Sequence, residues 1–219
     1  MIALIRYTFA TLLHTQRYAA PLLMFVGLMG VLTVNGSGPL PPAYASSAGA
    51  MFVCSTWLTI ALMSLDDPTQ RSIVVVTSGG GSLKVLLAAI GTSLLSCLVL
   101  MVFGLVFPLW MGSYDVTAAD LLLGAEAQLT CVLVGIAIGV LCSRLVFRRQ
   151  GYALVAALAL VMGALFVKGM PPVNRLFTLM ATSPDAAKLL GPTGGMLAIA
   201  VVILVVFVVI TQFVATRRE

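Results

Sequence analysis

The residues in this chain that could do chemistry are few, and most of them fall at two places. Glu126, with Gln128 and Thr130 close behind it, is the one acid well inside an apolar run. An ionisable side chain at such depth is costly and marks a substrate pathway by default, which makes Glu126 and Gln128 the pathway candidates. The competing reading is a carboxylate near the surface, in a frayed first turn after Asp120. The second place is the polar stretch "SLDDPTQRSIVVVTSGGGSLKV", residues 64–85, which interrupts greasy sequence with two acids, an Arg, a Lys and three consecutive glycines. Asp67 has the chemistry of an N-cap, Pro68 suits a first helical turn, and Gln70 stands at the capping-box position. The expected helix covers 68–77, is released by Gly79, Gly80 and Gly81, and is followed by Ser82 as cap of the next element. It presents Gln70 and Arg71 as polar contacts beside an apolar patch of Ile73, Val74 and Val76, the composition of a partner surface. The alternative is that 74–76 dip into lipid as part of a span.

Several chemistries are excluded by what is missing. His14 is the sole histidine, there is no HExxH and no paired-glutamate motif, so a membrane protease has no catalytic set at membrane depth. Cys54, Cys97, Cys131 and Cys142 show no CxxC spacing and no His cluster, and read as buried small apolar residues. "SGGGSLK" lacks the Gly-Lys-Ser/Thr ending of a phosphate loop. With no Walker loop and no intramembrane acid–base array, active transport by this chain would draw its energy from another subunit.

The elements that position these residues are membrane helices. Of the 219 residues 61% are hydrophobic and only 9% charged, with a mean hydropathy of +1.13, far from the roughly 25% charge of a water-soluble domain. Six apolar runs are expected to cross, at 18–34, 48–65, 83–110, 121–142, 151–167 and 195–214. The third is long and must either tilt or end near Pro108. An even number of crossings puts both termini on one side. If that side is the cytoplasm, nine Lys and Arg residues lie inside against Lys168, Arg175 and Lys188 outside, which satisfies the positive-inside bias. The net charge of +5 therefore reads as topology. Its scatter through short loops excludes a nucleic-acid surface.

Ahead of the first run, residues 1–17 place Ile2, Ile5, Phe9, Leu12 and Leu13 within one arc, with Arg6, His14, Thr15 and Arg17 opposite. That is the pattern of an amphipathic helix lying in the cytoplasmic interface. A cleaved signal peptide is not expected, because the small residues of "YASSAGA" lie too far along the chain. "NGSGPLPPAYASS" and "GSYDVTAAD" read as turn-rich outer connections. The third outer segment, 168–194, holds two half-apolar stretches, 174–181 and 184–190, too short to cross. Ser183 is the expected N-cap of the second, with Pro184 at its first helical position. They read as re-entrant or interfacial helices, against the alternative of a simple loop.

This architecture resembles an ABC transporter permease of the type 2 exporter class over the whole chain. The matching features are an N-terminal elbow helix (2–17), six spans with both termini inside, a helix-bearing cytoplasmic loop between the second and third spans (66–81), and a longer outer segment before the last span. The resemblance implies an all-α, polytopic fold in the cell (plasma) membrane. It implies a coupling helix docked on a separate ATP-binding subunit, contacts carried by Asp67, Gln70, Arg71, Ile73, Val74 and Val76, and re-entrant outer helices capping a dimer. Arg144, Arg148 and Arg149 in "SRLVFRRQG" either approach the same ATPase or simply obey the positive-inside bias. ATP and Mg would be bound by those partner subunits, not by this chain, and a second permease subunit, identical or homologous, would complete the pathway. The main rival is the substrate-capture subunit of an energy-coupling-factor vitamin importer, which also has six spans and no ATPase of its own but needs neither an elbow nor a capped cytoplasmic helix. A channel or assembly factor is a third possibility.

Overall fold

The computed structural model describes residues 2–33, 39–65, 74, 81–112, 114, 116–143, 146, 150–183 and 185–217. Among these residues the chain is helical, without a strand. In order the helices are α1 (Ile2–Thr15), α2 (Ala19–Thr33), α3 (Leu40–Met63), α4 (Gly81–Met111), α5 (Ala118–Leu141), α6 (Gln150–Phe166), α7 (Val173–Thr182) and α8 (Ala186–Thr216). Four of them, α3, α4, α5 and α8, are long and apolar enough to cross a membrane. The other two expected spans, at α2 and α6, are apolar but shorter. At 1.5 Å per residue the 15-residue α2 is about 22 Å long, against a hydrocarbon core of about 30 Å.

Several boundaries differ from the sequence reading for identifiable reasons. Helix α3 starts at Leu40, so most of "PLPPAYASS" is helix and not loop. Pro41 and Pro42 fall in its first turn, where no backbone N–H is required of them. Helix α4 runs through Pro108 to Met111 and does not end there. Ser82 is not a cap: it lies inside α4, buried, and its Oγ has no hydrogen-bond partner among the described residues. The expected break between 184–190 and the last span is absent, because α8 is continuous from Ala186 through Pro192 to Thr216. Ser183 is the C-cap of α7, and the N-cap of α8 is Asp185, whose carboxylate pairs with Lys188 at 2.6 Å instead of capping the helix.

The centre of the bundle is the α3–α5 pair, with α8 laid along α5, and α2 and α4 against α3. Small residues let the two central backbones meet. A Cβ on Gly135 would stand 2.8 Å from the Phe52 carbonyl oxygen, and one on Gly139 2.9 Å from that of Thr56. Gly135 and Gly139 are four apart, the spacing that aligns two gaps on one helix face and permits close approach in lipid. On either side of this pair lie two apolar clusters, one shared with α6, α7 and α8 and one with α1, α2 and α4. Helix α5 is therefore buried all round from Thr130 to Val140.

The short helices close the ends. Helix α7 buries Val173, Leu176 and Met180 and exposes Arg175 and Thr178, a one-sided pattern in which Phe177 meets the Gly49 position of α3. Asn174 ties α7 to α6, donating from Nδ2 to the Leu165 carbonyl at 2.6 Å and accepting from the Gly169 N–H at 3.0 Å. Gly169 has φ +75°, a value glycine adopts without a Cβ penalty. Helix α1 packs on α4 with Leu12 buried, Ile5 and Phe9 half-buried and Ile5 against Gly91. Leu13, expected on the apolar arc, is exposed, because the helix turns its Ile5–Phe9–Leu12 stripe toward α4 and carries Leu13 past the contact. Arg17, at the turn into α2, donates from Nη1 to the Ser64 carbonyl at 2.9 Å, a cation at the C-terminal end of α3.

Candidate functional site

The two pathway candidates sit on α5, whose start is fixed by a capping box. The Thr117 hydroxyl accepts from the Asp120 N–H at 3.3 Å, and the Asp120 carboxylate accepts from the Thr117 N–H at 3.0 Å. With its first turn secured this way, α5 is not frayed at its N-terminal end. Glu126 lies in its third turn, about 12 Å along the axis from Ala118 by helical rise.

Glu126 and Gln128 do not form one site. Residues two positions apart on a helix are separated by about 200° of rotation, so the pair is divided between opposite sides of α5. Glu126 is half-buried at the seam with α8, where its Oε2 accepts from the Thr193 hydroxyl at 2.6 Å. Thr193 lies just after Pro192 and also comes within 2.9 Å of the Leu189 carbonyl. Its hydroxyl has a single proton, so these acceptors compete for it. Charge-assisted bonds are the shorter and stronger kind, which favours the carboxylate.

Gln128 faces the other way and is fully buried between α3 and α4. Its Nε2 donates to Ser47 Oγ at 2.9 Å, and Ser47 in turn donates to the Tyr44 carbonyl at 3.0 Å. The amide lies flat against Gly104 of α4, where a Cβ would stand 3.0 Å from Nε2 and 3.1 Å from Oε1. Its Oε1 is buried and has no hydrogen-bond partner among the described residues. A hydroxyl pair, Thr59 with Ser93 at 2.7 Å, joins α3 to α4. In lipid such bonds are specific joints between helices worth on average about 0.6 kcal/mol each.

Of the expected docking residues, Asp67, Gln70, Arg71, Ile73 and Val76 fall outside the described residues, as do Arg144, Arg148 and Arg149. Val74 is helical and half-buried. All four cysteines are free and buried, as their apolar surroundings imply. Among the described residues no group of His, Cys, Asp and Glu side chains could hold a metal ion.

Sequence pattern does not single out Thr193, Ser47 or Gly104. Each is an ordinary small residue in an apolar run, and its partner is 24 to 81 positions away. The Gly135–Gly139 spacing is the one signal that locates the packing face of α5 from sequence. No protein-family model, curated protein or solved structure matches this chain.

Proposed function

We propose that the chain is the membrane-spanning permease subunit of an ATP-driven ABC exporter. In this reading α2 to α6 and α8 cross the plasma membrane, with α2 and α6 accommodated by local thinning or by their flanking residues. Both termini face the cytoplasm, the choice that puts nine basic residues inside against three outside. Helix α1 is the elbow, the 66–81 insert docks a separate ATP-binding subunit, and a second permease subunit completes a pathway beside α5.

The observation that carries the reading is the placement of the two amphipathic helices at opposite ends of the bundle. Helix α1 turns at Gln16, φ +52°, and lays Leu12 on α4 without joining α2 into one span. Helix α7 packs across α3, α5, α6 and α8 between the last two apolar helices. Short interfacial helices at both faces suit a bundle whose membrane core is moved from one face and sealed at the other. Glu126 is the polar group of the pathway in this scheme. Gln128, closed in on all sides, sets the spacing of α3, α4 and α5.

The test is purification of the tagged chain from its native membrane in mild detergent, as wild type and as Arg71→Glu with Val74→Asp. Co-purifying chains are then identified by mass spectrometry. A chain with Walker motifs that accompanies the wild type and is lost from the inserted variant is the expected result. Absence of any such chain after crosslinking overturns the exporter reading. Equal recovery with both proteins moves the docking surface elsewhere. Tight retention of a vitamin by the isolated chain favours the capture subunit of an energy-coupling-factor importer instead.

A further inference from the structure

We infer that the cleft between α1, α2, α3 and α4 is a binding site for one anionic phospholipid, with an acyl chain in the cleft and the phosphate on Arg17. The cleft has a volume of about 190 Å³, and among its lining residues are Phe9, Leu12 and Leu13 from α1, Leu22 from α2, Leu58 from α3 and Leu100 from α4. An apolar cavity of about 150 Å³ takes a guest the size of benzene, so this one takes roughly seven to eight carbons, a segment of a fatty chain. Among the described residues, Ser96 and Tyr18 are the only hydroxyl-bearing side chains lining the cleft, and no charged side chain lines it. That lining gives no hold on a polar solute. A chain that already dissolves in hydrocarbon loses little on entering.

The selectivity comes from the rim. Leu13 and Tyr18 both line the cleft, and the chain between them is His14, Thr15, Gln16 and Arg17, all exposed. The Gln16 residue at φ +52° turns the chain there and fixes the direction in which Arg17 leaves it. One guanidinium nitrogen of Arg17 is held by the Ser64 carbonyl at 2.9 Å. A guanidinium carries five N–H donors, so several remain for a phosphate, and their position is set in advance by the Ser64 bond. His14, one turn earlier, offers a further ring donor at the same rim. An exposed guanidinium next to an apolar slot between membrane helices is the chemistry that recognises an acidic lipid headgroup. The α1–α2 side of the rim carries no acid, since the chain from 2 to 33 contains no Asp or Glu.

This site does not depend on the transport reading, and its test reads lipid alone. The full chain in mild detergent is doped with dioleoylphosphatidylglycerol or dioleoylphosphatidylcholine and retained lipid is counted by native mass spectrometry. The expected result is a single tightly held phosphatidylglycerol, preferred about fivefold over phosphatidylcholine for the one engaged cation. Arg17→Lys keeps the preference and Arg17→Gln abolishes it, while Leu22→Trp, which fills the cleft, loses both lipids. Monodispersity on gel filtration and helical circular dichroism establish that each variant folds. Should Arg17→Gln fail that check through loss of the Ser64 bond, Leu22→Trp and His14→Ala carry the test, the latter with a reduced preference. Equal retention of the two lipids by wild type overturns the proposal, as does retention by Leu22→Trp at the wild-type level. A lipid-free dimer that Leu22→Trp dissociates also overturns it, by giving the cleft to a second copy.

Discussion

The central pair α3–α5 and the outer helix α8 are both apolar, yet they are built on opposite plans. In their most hydropathic windows 72% of α3 and of α5 is buried, against 11% of α8. Hydropathy runs the other way: α8 is the most hydropathic at 3.1 and α3 the least at 1.4. The contact face of the pair is made of small and hydroxyl residues, Gly135, Gly139, Ser55, Thr56 and Thr59, while α8 turns Val201, Val202, Val205, Val209 and Phe213 outward. In water the bulky apolar residues would be inside. In a bilayer lipid tails are as apolar as Val, so nothing draws bulky side chains inward, and what decides the interior is how closely backbones can approach.

The sharpest way to break this contrast is to give the central pair a side chain. Gly135→Val drives a Cβ into Ser55 Oγ and to 2.8 Å from the Phe52 carbonyl oxygen. It should cost about 3 kcal/mol or prevent folding, while Val202→Ala on the outer face stays within about 0.5 kcal/mol. Thermal unfolding in detergent followed by gel filtration compares the two, and equal midpoints would refute close packing as the basis of the pair. A smaller effect is expected where α5 begins. Thr117→Ala removes the cap hydroxyl and should lower stability by about 1 kcal/mol, with amide exchange accelerated in 118–121 and unchanged beyond Glu126. Uniform acceleration along α5 would mean that the capping box does not secure the end on its own.

The seam between the two plans is the Glu126–Thr193 bond. Thr193→Val keeps the shape and deletes the hydroxyl, with an expected loss of about 0.6 kcal/mol, and Glu126→Gln in the same background should add nothing further if that bond is the only coupling. A double-mutant cycle measures it. The smallest change is expected at Gln128. Gln128→Leu deletes the bond to Ser47 and also the buried, unpartnered Oε1, and the two losses should nearly cancel, since removing an unsatisfied acceptor offsets a lost bond. A destabilisation beyond about 1.5 kcal/mol would mean that Oε1 is hydrogen-bonded in the membrane-embedded protein.

Much of the fold is legible residue by residue. The apolar runs locate every long helix, the 174–181 stretch is helix α7 within a residue at each end, and the four buried cysteines follow from their surroundings. Two of the differing boundaries lie at prolines. Pro41 and Pro42 fall in the first turn of α3, and α8 continues through Pro192. Proline reads as a break in a local window, yet a first turn requires no N–H of it, and membrane helices tolerate it in their interior. The surroundings of the two candidates were only half legible: their spacing of two puts them on opposite sides of α5, but no local pattern tells that Thr193 meets Glu126 or that a glycine on another helix meets Gln128.

Composition, charge placement and periodicity by themselves determined that this is a helical, multi-pass membrane protein with an amphipathic first helix and a short half-apolar helix before the last. These follow from quantities that each segment carries alone, namely hydrocarbon solubility, length and the angle between successive side chains. Which face of each helix turns inward, which hydroxyl meets Glu126, and where a lipid chain can enter were decided only in the tertiary structure. They depend on distances between segments remote in sequence, and in a chain apolar on every side hydropathy does not distinguish a neighbouring helix from the lipid around it.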